Sequence, residues 1–288
     1  SFQLEPFSRF KPVVSAILNF TPDHLNRHGS MEAYGACKAA IGKNQTSDEY
    51  MVINYDDKAC LALGDNTKAR LVPFSRTEEL DFGAYIDDSY IVIRDENGIV
   101  HQICSKDELK IIGNHNIENA LAAAAISFFA GIDAAVIADA LKKFPGVEHR
   151  IEYCGIVDGV KFYNDSKGTN VDASIIALKA LERDIILIAG GDGKAQDFTE
   201  LGENLLGRVK ALVLLGRDAK EIDKAARAAG FSNIYHENDM NDCVKRAHKL
   251  SESGDKVLLS PACASWDMYD NYEQRGDHFK NCVNQLLR

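Results

Sequence analysis

The chain has 288 residues, 45% hydrophobic and 26% charged, with a formal net charge of −10. That length suits two domains rather than one core. The composition is that of a globular protein, and the charge argues against nucleic acid or an anionic membrane as the main partner. An anionic nucleotide stays compatible, because local lysines and helix termini override net charge. The longest apolar stretch, Ala120 to Ile132, is too short to span a bilayer. Seven cysteines without CxxC pairing or metal-ligand spacing read as reduced thiols in the cytoplasm.

In chain order, Val13 to Phe20 is expected to form a buried strand, Met31 to Ile41 a helix and Tyr50 to Asn54 another strand. Between the first two lies Thr21-Pro22-Asp23-His24-Leu25-Asn26-Arg27-His28-Gly29-Ser30. His24 there either ligates a metal, touches a phosphate or is structural. Lys38 follows in the helix, beside Cys37 and among alanines, as a lysine that snorkels to the surface would. Tyr90 to Ile93 and Ile99 to Ile103 flank Asn97-Gly98, a strong hairpin signal. Gly113-Asn114-His115-Asn116-Ile117-Glu118-Asn119-Ala120 opens an Ala-rich helix. Asn116 and Asn119 share one face of its first turn, where they either read a base edge or cap the helix. The apolar stretch beyond is broken by Ser127 and Gly131 and followed by Asp133, so it is expected to divide into two buried helices. Phe144-Pro145-Gly146 stops the helix before it and marks a boundary between domains 1–146 and 147–288.

The second half alternates strands and helices. Val160 to Tyr163, Ile185 to Ala189, Ala211 to Leu215 and Val257 to Leu259 are apolar runs of the kind covered on both faces. Helices are expected at Val171 to Leu178, Lys220 to Ala229 and Asp242 to Leu250, which makes a parallel, doubly wound sheet. Ligands bind beyond the carboxyl ends of such strands. Those ends carry Asn164-Asp165-Ser166-Lys167-Gly168-Thr169-Asn170, Gly190-Gly191-Asp192-Gly193-Lys194, Gly216-Arg217 and Ser260-Pro261-Ala262-Cys263-Ala264-Ser265. Asn170 or Thr169 is placed to cap the helix that follows the first of these, leaving its N–H groups to face an anion.

These segments, together with Val-Glu-His-Arg at 147–150 and Asn-Tyr-Glu-Gln-Arg-Gly-Asp at 271–277, resemble those of the Mur ligases across essentially the whole chain. The resemblance implies a truncated central ATPase-type α/β domain followed by a C-terminal Rossmann-like doubly wound domain. It implies ATP-dependent joining of D-glutamate to UDP-N-acetylmuramoyl-L-alanine through an acyl phosphate, in peptidoglycan precursor synthesis. His24 matches a magnesium-associated histidine. Lys38 matches a lysine that becomes a carbamate and supports a second magnesium, which reverses the snorkelling reading. Asn116, Asn119, Arg150, Asp165 and Lys167 match the ATP side, and Thr169, Lys194, Ser265 and Tyr272 match the D-glutamate site. Tyr272 stands where phenylalanine is common, and Trp266 replaces a smaller apolar residue. The protein is expected to be a cytoplasmic monomer whose partners are small molecules. Cys263 is read as a packing residue, since no covalent nucleophile is used.

The chain also departs from the family pattern. It contains no Gly-x-x-Gly-x-x-Gly-Lys-Ser/Thr-like phosphate loop, and it opens on Ser1-Phe2-Gln3-Leu4-Glu5, just after the family's magnesium-binding glutamate. The 288 residues alone are therefore expected to lack ligase activity and to expose apolar surface in the first domain. Two other readings stand beside this one. One is another Mur or folylpolyglutamate-type amide ligase, and the other is a non-catalytic fragment that binds nucleotide or amino acid.

Overall fold

A computed structural model describes residues 1–286. The chain divides into two compact units, Ser1–Pro145 and a second beginning at Gly146. In the first, β1 (Val14–Ile17), α1 (Leu25–His28), α2 (Met31–Ala39), β2 (Tyr50–Asn54), α3 (Lys58–Ala62), β3 (Arg70–Ser75) and β4 (Gly83–Asp87) are followed by β5 (Tyr90–Arg94), β6 (Val100–Ser105), α4 (Asn114–Phe129) and α5 (Ala134–Lys143). The sheet runs β1-β2-β3-β4-β5-β6, parallel through β4 and antiparallel from there to β6.

The expected strand at 13–20 is only four residues long. It is the sheet's edge, so alternate side chains lose cover, and Val13 is 66% exposed. Phe2, Phe7, Phe10, Leu18 and Leu25 of the same region are exposed as well. Beneath the sheet, the alanines of α4 let it approach closely, so that Ala120, Leu121, Ala124 and Ala125 pack with Val52, Val72 and Phe74. Each fully buried large apolar side chain there contributes about 1.5–3 kcal/mol. Gly131, at φ 91°, ends α4, and the Asp133 side chain caps α5 by accepting from Ala135 N–H at 2.8 Å. The apolar stretch thus divides at Gly131.

The second unit contains β7 (Glu152–Val157), β8 (Val160–Asn164), α6 (Val171–Leu181), β9 (Ile185–Ala189), α7 (Thr199–Leu205) and β10 (Val209–Leu214). After them come α8 (Ala219–Ala228), β11 (Ile234–His236), α9 (Met240–Leu250), β12 (Lys256–Leu259) and α10 (Tyr272–Leu286). Strand order is β11-β10-β9-β12-β8-β7. Every neighbouring pair is parallel except β7 with β8. That antiparallel edge departs from the expected all-parallel sheet. It is built by a two-residue turn, Asp158-Gly159, with both φ positive, which suits the twist of a hairpin.

All five residues of β9 are buried, as its unbroken apolar sequence requires. The functional consequence lies in the position of β12. It is inserted between β8 and β9, so the loops leaving β8, β12 and β9 are neighbours at one edge of the sheet.

Candidate functional site

Three strand-end loops of the second unit interlock through their backbones. Asp165 N–H donates to the Leu259 carbonyl at 2.7 Å, tying the end of β8 to β12. Asp192 and Ala264 exchange two backbone hydrogen bonds of 2.9 Å, tying the loop after β9 to the loop after β12. Gly190 has φ 119°, and a Cβ there would strike the Leu215 carbonyl, so only glycine permits this approach.

Asp165 is the buried carboxylate of the cluster. Its Oδ2 accepts from Ser260 Oγ at 2.7 Å and its Oδ1 from Ile151 N–H at 3.2 Å, while Ser260 Oγ lies 2.8 Å from Ser174 Oγ. Burial pushes the Asp165 carboxyl up to about 7, against the Ser260 and Ile151 hydrogen bonds and the charges of Arg150 and Arg275. Next to it, Ser166 and Lys167 face the start of α10. Lys167 Nζ donates to the Tyr272 hydroxyl at 3.0 Å and stands 4.6 Å from that ring's centre. Lys167 N–H bonds to the His149 carbonyl, and Asn164 Nδ2 donates to both His149 Nδ1 and Glu152. The segment around Val147 to Arg150 therefore fixes the loop that carries Asp165 and Lys167, while the Arg150 side chain remains exposed. Asn170, not Thr169, caps α6, its side chain accepting from Ala173 N–H at 2.8 Å.

Lys194 and Ser265 lie on the other two loops. Ser265 is 2% exposed. The Lys194 ammonium sits 4.1 Å from the centre of the Trp266 ring. Cys263 is buried, and burial pushes its thiol up to about 12, which suits an inert packing residue.

Arg275, on α10, escapes notice in the sequence because a charged residue ordinarily reads as surface. It is 2% exposed and donates to the Ser166 hydroxyl, the Ser166 carbonyl and the Cys263 carbonyl at 3.0, 2.8 and 3.1 Å. One guanidinium thereby holds the loop after β8 to the loop after β12. Its only advance sign is its place within the 271–277 motif.

The first unit brings together the other candidates. The buried Tyr34 ring of α2 has the His24 ring at 6.4 Å, the His28 ring at 5.2 Å and the Lys38 ammonium at 5.0 Å. His24 itself is strained, at φ 54°, and its Nε2 lies 3.3 Å from Asp23. Lys38 Nζ donates to the Asn19 carbonyl at 3.2 Å. Glu5, His28 and Cys37 offer donor atoms within 4.8 Å of one another, but Glu5 is already gripped by the Arg27 fork at 2.6 and 3.1 Å. Asn116 Nδ2 donates to the Ile112 carbonyl and Asn119 Nδ2 to Asn116 Oδ1, at 2.8 and 3.2 Å. Neither caps α4, whose N-cap is Gly113.

A doubly wound sheet with lysines, hydroxyls and a buried carboxylate at three adjacent strand ends defines an α/β protein with a polar edge where such folds carry their ligands. Residues 2–127 match the model of the Mur ligase middle domain, and residues 149–263 match that of the Mur ligase glutamate ligase domain. The chain belongs to the Mur ligase family. It is similar to the UDP-N-acetylmuramoylalanine–D-glutamate ligase of Thermoanaerobacter sp. strain X514, at 49% identity over all of this chain and 64% of that protein. It is also similar to the ligase of the same name from Clostridioides difficile strain 630, at 48% identity over 99% of this chain and 63% of that protein. The chain thus spans less than two thirds of the length of these curated relatives. Among solved structures, MurF from Acinetobacter baumannii matches with a TM-score of 0.69 at 17% identity, over 96% of this chain and 60% of that one. MurC from Thermotoga maritima matches with a TM-score of 0.67 at 21% identity, over the same shares. These two likenesses show a shared fold.

Proposed function

We propose that the chain is part of an ATP-dependent ligase that joins D-glutamate to UDP-N-acetylmuramoyl-L-alanine in peptidoglycan precursor synthesis. The reading is carried by the 49% identity, along the full chain, to a ligase of that name. ATP phosphorylates the substrate carboxylate. The D-glutamate amine then attacks the acyl carbon, the carbon–oxygen bond to phosphate breaks, and the amide forms as phosphate and a proton leave. A dicarboxylate needs cations and donors at both ends. Lys194 and the Ser265 hydroxyl supply them, together with Thr169 and Tyr272. Lys167, Asp165 and Arg150 serve the ATP phosphates and ribose, and Asn116 and Asn119 the adenine.

Magnesium requires an octahedral, mostly oxygen shell. His24 offers it one imidazole, and Lys38 as an ammonium offers nothing. The pair fits the metal only with Lys38 as a carbamate and with water and phosphate oxygens completing the shell. The metal's contribution when bound is to neutralise phosphoryl charge. Neither unit contains a phosphate loop, so we expect the 288 residues alone to turn over no substrate. The protein acts in the cytoplasm as a monomer on small molecules. All seven cysteines are free, and no helix among the described residues is long and apolar enough to cross a membrane.

The test is product formation by the complete protein with UDP-N-acetylmuramoyl-L-alanine and ATP. D-glutamate is offered against L-alanine, diaminopimelate and L-glutamate. A preference for any of the other three overturns the reading, and the isolated chain run in parallel checks its expected inactivity.

A further inference from the structure

Resting on the D-glutamate reading above, we propose that Trp266 is a positioning residue. Its indole face holds the Lys194 ammonium ready for the substrate carboxylate and away from the carboxylates of its own loops. Three aspartates crowd this edge, yet no carboxylate among the described residues lies within ion-pair distance of Lys194. Each is already committed. Asp192 Oδ2 accepts from the Arg217 guanidinium at 2.9 Å, and its Oδ1 accepts from the Lys194 backbone N–H at 3.1 Å. Asp218 Oδ2 accepts from Gly193 N–H at 2.6 Å, and Asp267 Oδ2 from Arg217 N–H at 2.8 Å. Arg217 thus offsets the Asp192 charge and backbone N–H groups hold Asp218 and Asp267, and the lysine is left with an aromatic face at 4.1 Å.

The backbone is arranged to bring the two side chains together. Asp192 and Ala264 are paired across the loops, and Lys194 and Trp266 each follow their paired residue by two positions. Lys194 and Ala195 both adopt left-handed φ values, 52° and 59°, which turn the chain back on itself at the lysine. Trp266 is the chain's single tryptophan and is 64% exposed. A ring that large, left in water on a loop, contributes nothing to the core.

The physical consequence follows from the kind of partner. A carboxylate would cancel the lysine charge and would have to be displaced by the ligand, whereas a ring face leaves the charge whole. It also restricts a long, flexible side chain before the ligand arrives, which lowers the ordering cost of binding. At an exposed site this is worth about two- to fivefold in affinity.

The test combines spectroscopy with a binding cycle on the 288-residue chain. Protons on the Lys194 ε-carbon are expected upfield of those of other lysines through the indole ring current, and Trp266→Leu returns them to the common position. D-glutamate affinity measured by calorimetry is expected to fall about two- to fivefold in Trp266→Leu and to recover in part in Trp266→Phe. It is lost in Lys194→Met, where adding Trp266→Leu has no further effect. If Trp266→Leu leaves the lysine protons or the affinity unchanged while Lys194→Met abolishes binding, the positioning role is wrong and the D-glutamate reading stands. If the unaltered chain does not bind D-glutamate, or binds it equally well as Lys194→Met, that reading falls and the positioning role with it.

Discussion

Arg275 grips Ser166 twice, through Nε to its hydroxyl at 3.0 Å and through Nη2 to its carbonyl at 2.8 Å, across 109 residues of chain. The third bond, from Nη1 to the Cys263 carbonyl, makes this one side chain the clamp between two loops of the proposed site. Burial pushes the guanidinium down to about 10, so it remains charged at neutral pH. Replacement by methionine would fill the space but leave the Ser166 and Cys263 carbonyls without donors. Each charge-assisted bond contributes about 1.5–3 kcal/mol. Arg275→Met should therefore destabilise the second unit by about 3 kcal/mol or more in chemical denaturation. Arg275→Lys should rescue little, because an ammonium cannot reproduce the planar fork. A loss under about 1 kcal/mol would contradict the clamp.

Asp165 should make the second unit less stable as pH rises. Its carboxyl is raised from 3.8 to about 7 by burial. Below its ordinary value both folded and unfolded forms carry the proton, and stability is highest. Between the two values the unfolded chain ionises while the folded one holds its proton, so stability falls by up to roughly 4 kcal/mol. Asp165→Asn removes this dependence. The variant should gain stability relative to the unaltered chain between about pH 4 and pH 8, while losing nucleotide affinity under the proposed role. Denaturation of both proteins across that range decides it; parallel curves would show that Asp165 is ionised throughout.

Much of the second unit's fold is legible in the sequence. The unbroken apolar runs of β9, β10 and β12 mark buried parallel strands, and their polar endings lie at one edge of the sheet. What stayed hidden was hidden for physical reasons. In β3, Pro73 has no N–H to give and reads as a breaker, but β4 pairs with β3 only from Phe74 onward, beyond the proline. In β7 a register shift between Tyr153 and Gly155 interrupts the alternation, although Asp158-Gly159 is itself a hairpin signal. Arg275 and Tyr34 are organised by tertiary burial, which no local pattern encodes. The polar groups of Asn116 and Asn119 occupy each other and the Ile112 carbonyl, so their proposed adenine contacts require those bonds to be exchanged.

At the start of α6, the two candidate caps can be separated. Asn170→Ala removes the acceptor of the Ala173 N–H and should cost about 1 kcal/mol. Thr169→Ala should leave thermal stability within about 0.5 kcal/mol, as for a surface change away from such features, and should act on D-glutamate binding instead. Equal melting shifts for the two variants would place the cap wrongly.

Gly190 offers a sharper steric check. At φ 119°, with its missing Cβ aimed at the Leu215 carbonyl, Gly190→Ala should destabilise by about 2 kcal/mol or more. Gly207 has φ 75° and nothing within 4 Å of a Cβ, so Gly207→Ala carries conformational strain alone, about 1 kcal/mol. Comparing the two melting temperatures separates steric clash from backbone strain. A larger loss at Gly207 would show that the loops after β9 and β10 are not in the contact described.

The place of β12 has a consequence for how the protein comes into being. A strand made late in synthesis must slot between two made much earlier, since Leu258 pairs with Tyr163 on one side and Leu187 on the other. Until residues 256–259 leave the ribosome, β8 and β9 have no common neighbour and the loops after them are unmoored. Such long-range closure is slow and leaves apolar strand edges uncovered while it waits. A ribosome stalled before that point therefore carries every residue of the Asp165 and Lys194 loops without the strand that joins them, so binding at the proposed site should switch on abruptly with nascent-chain length.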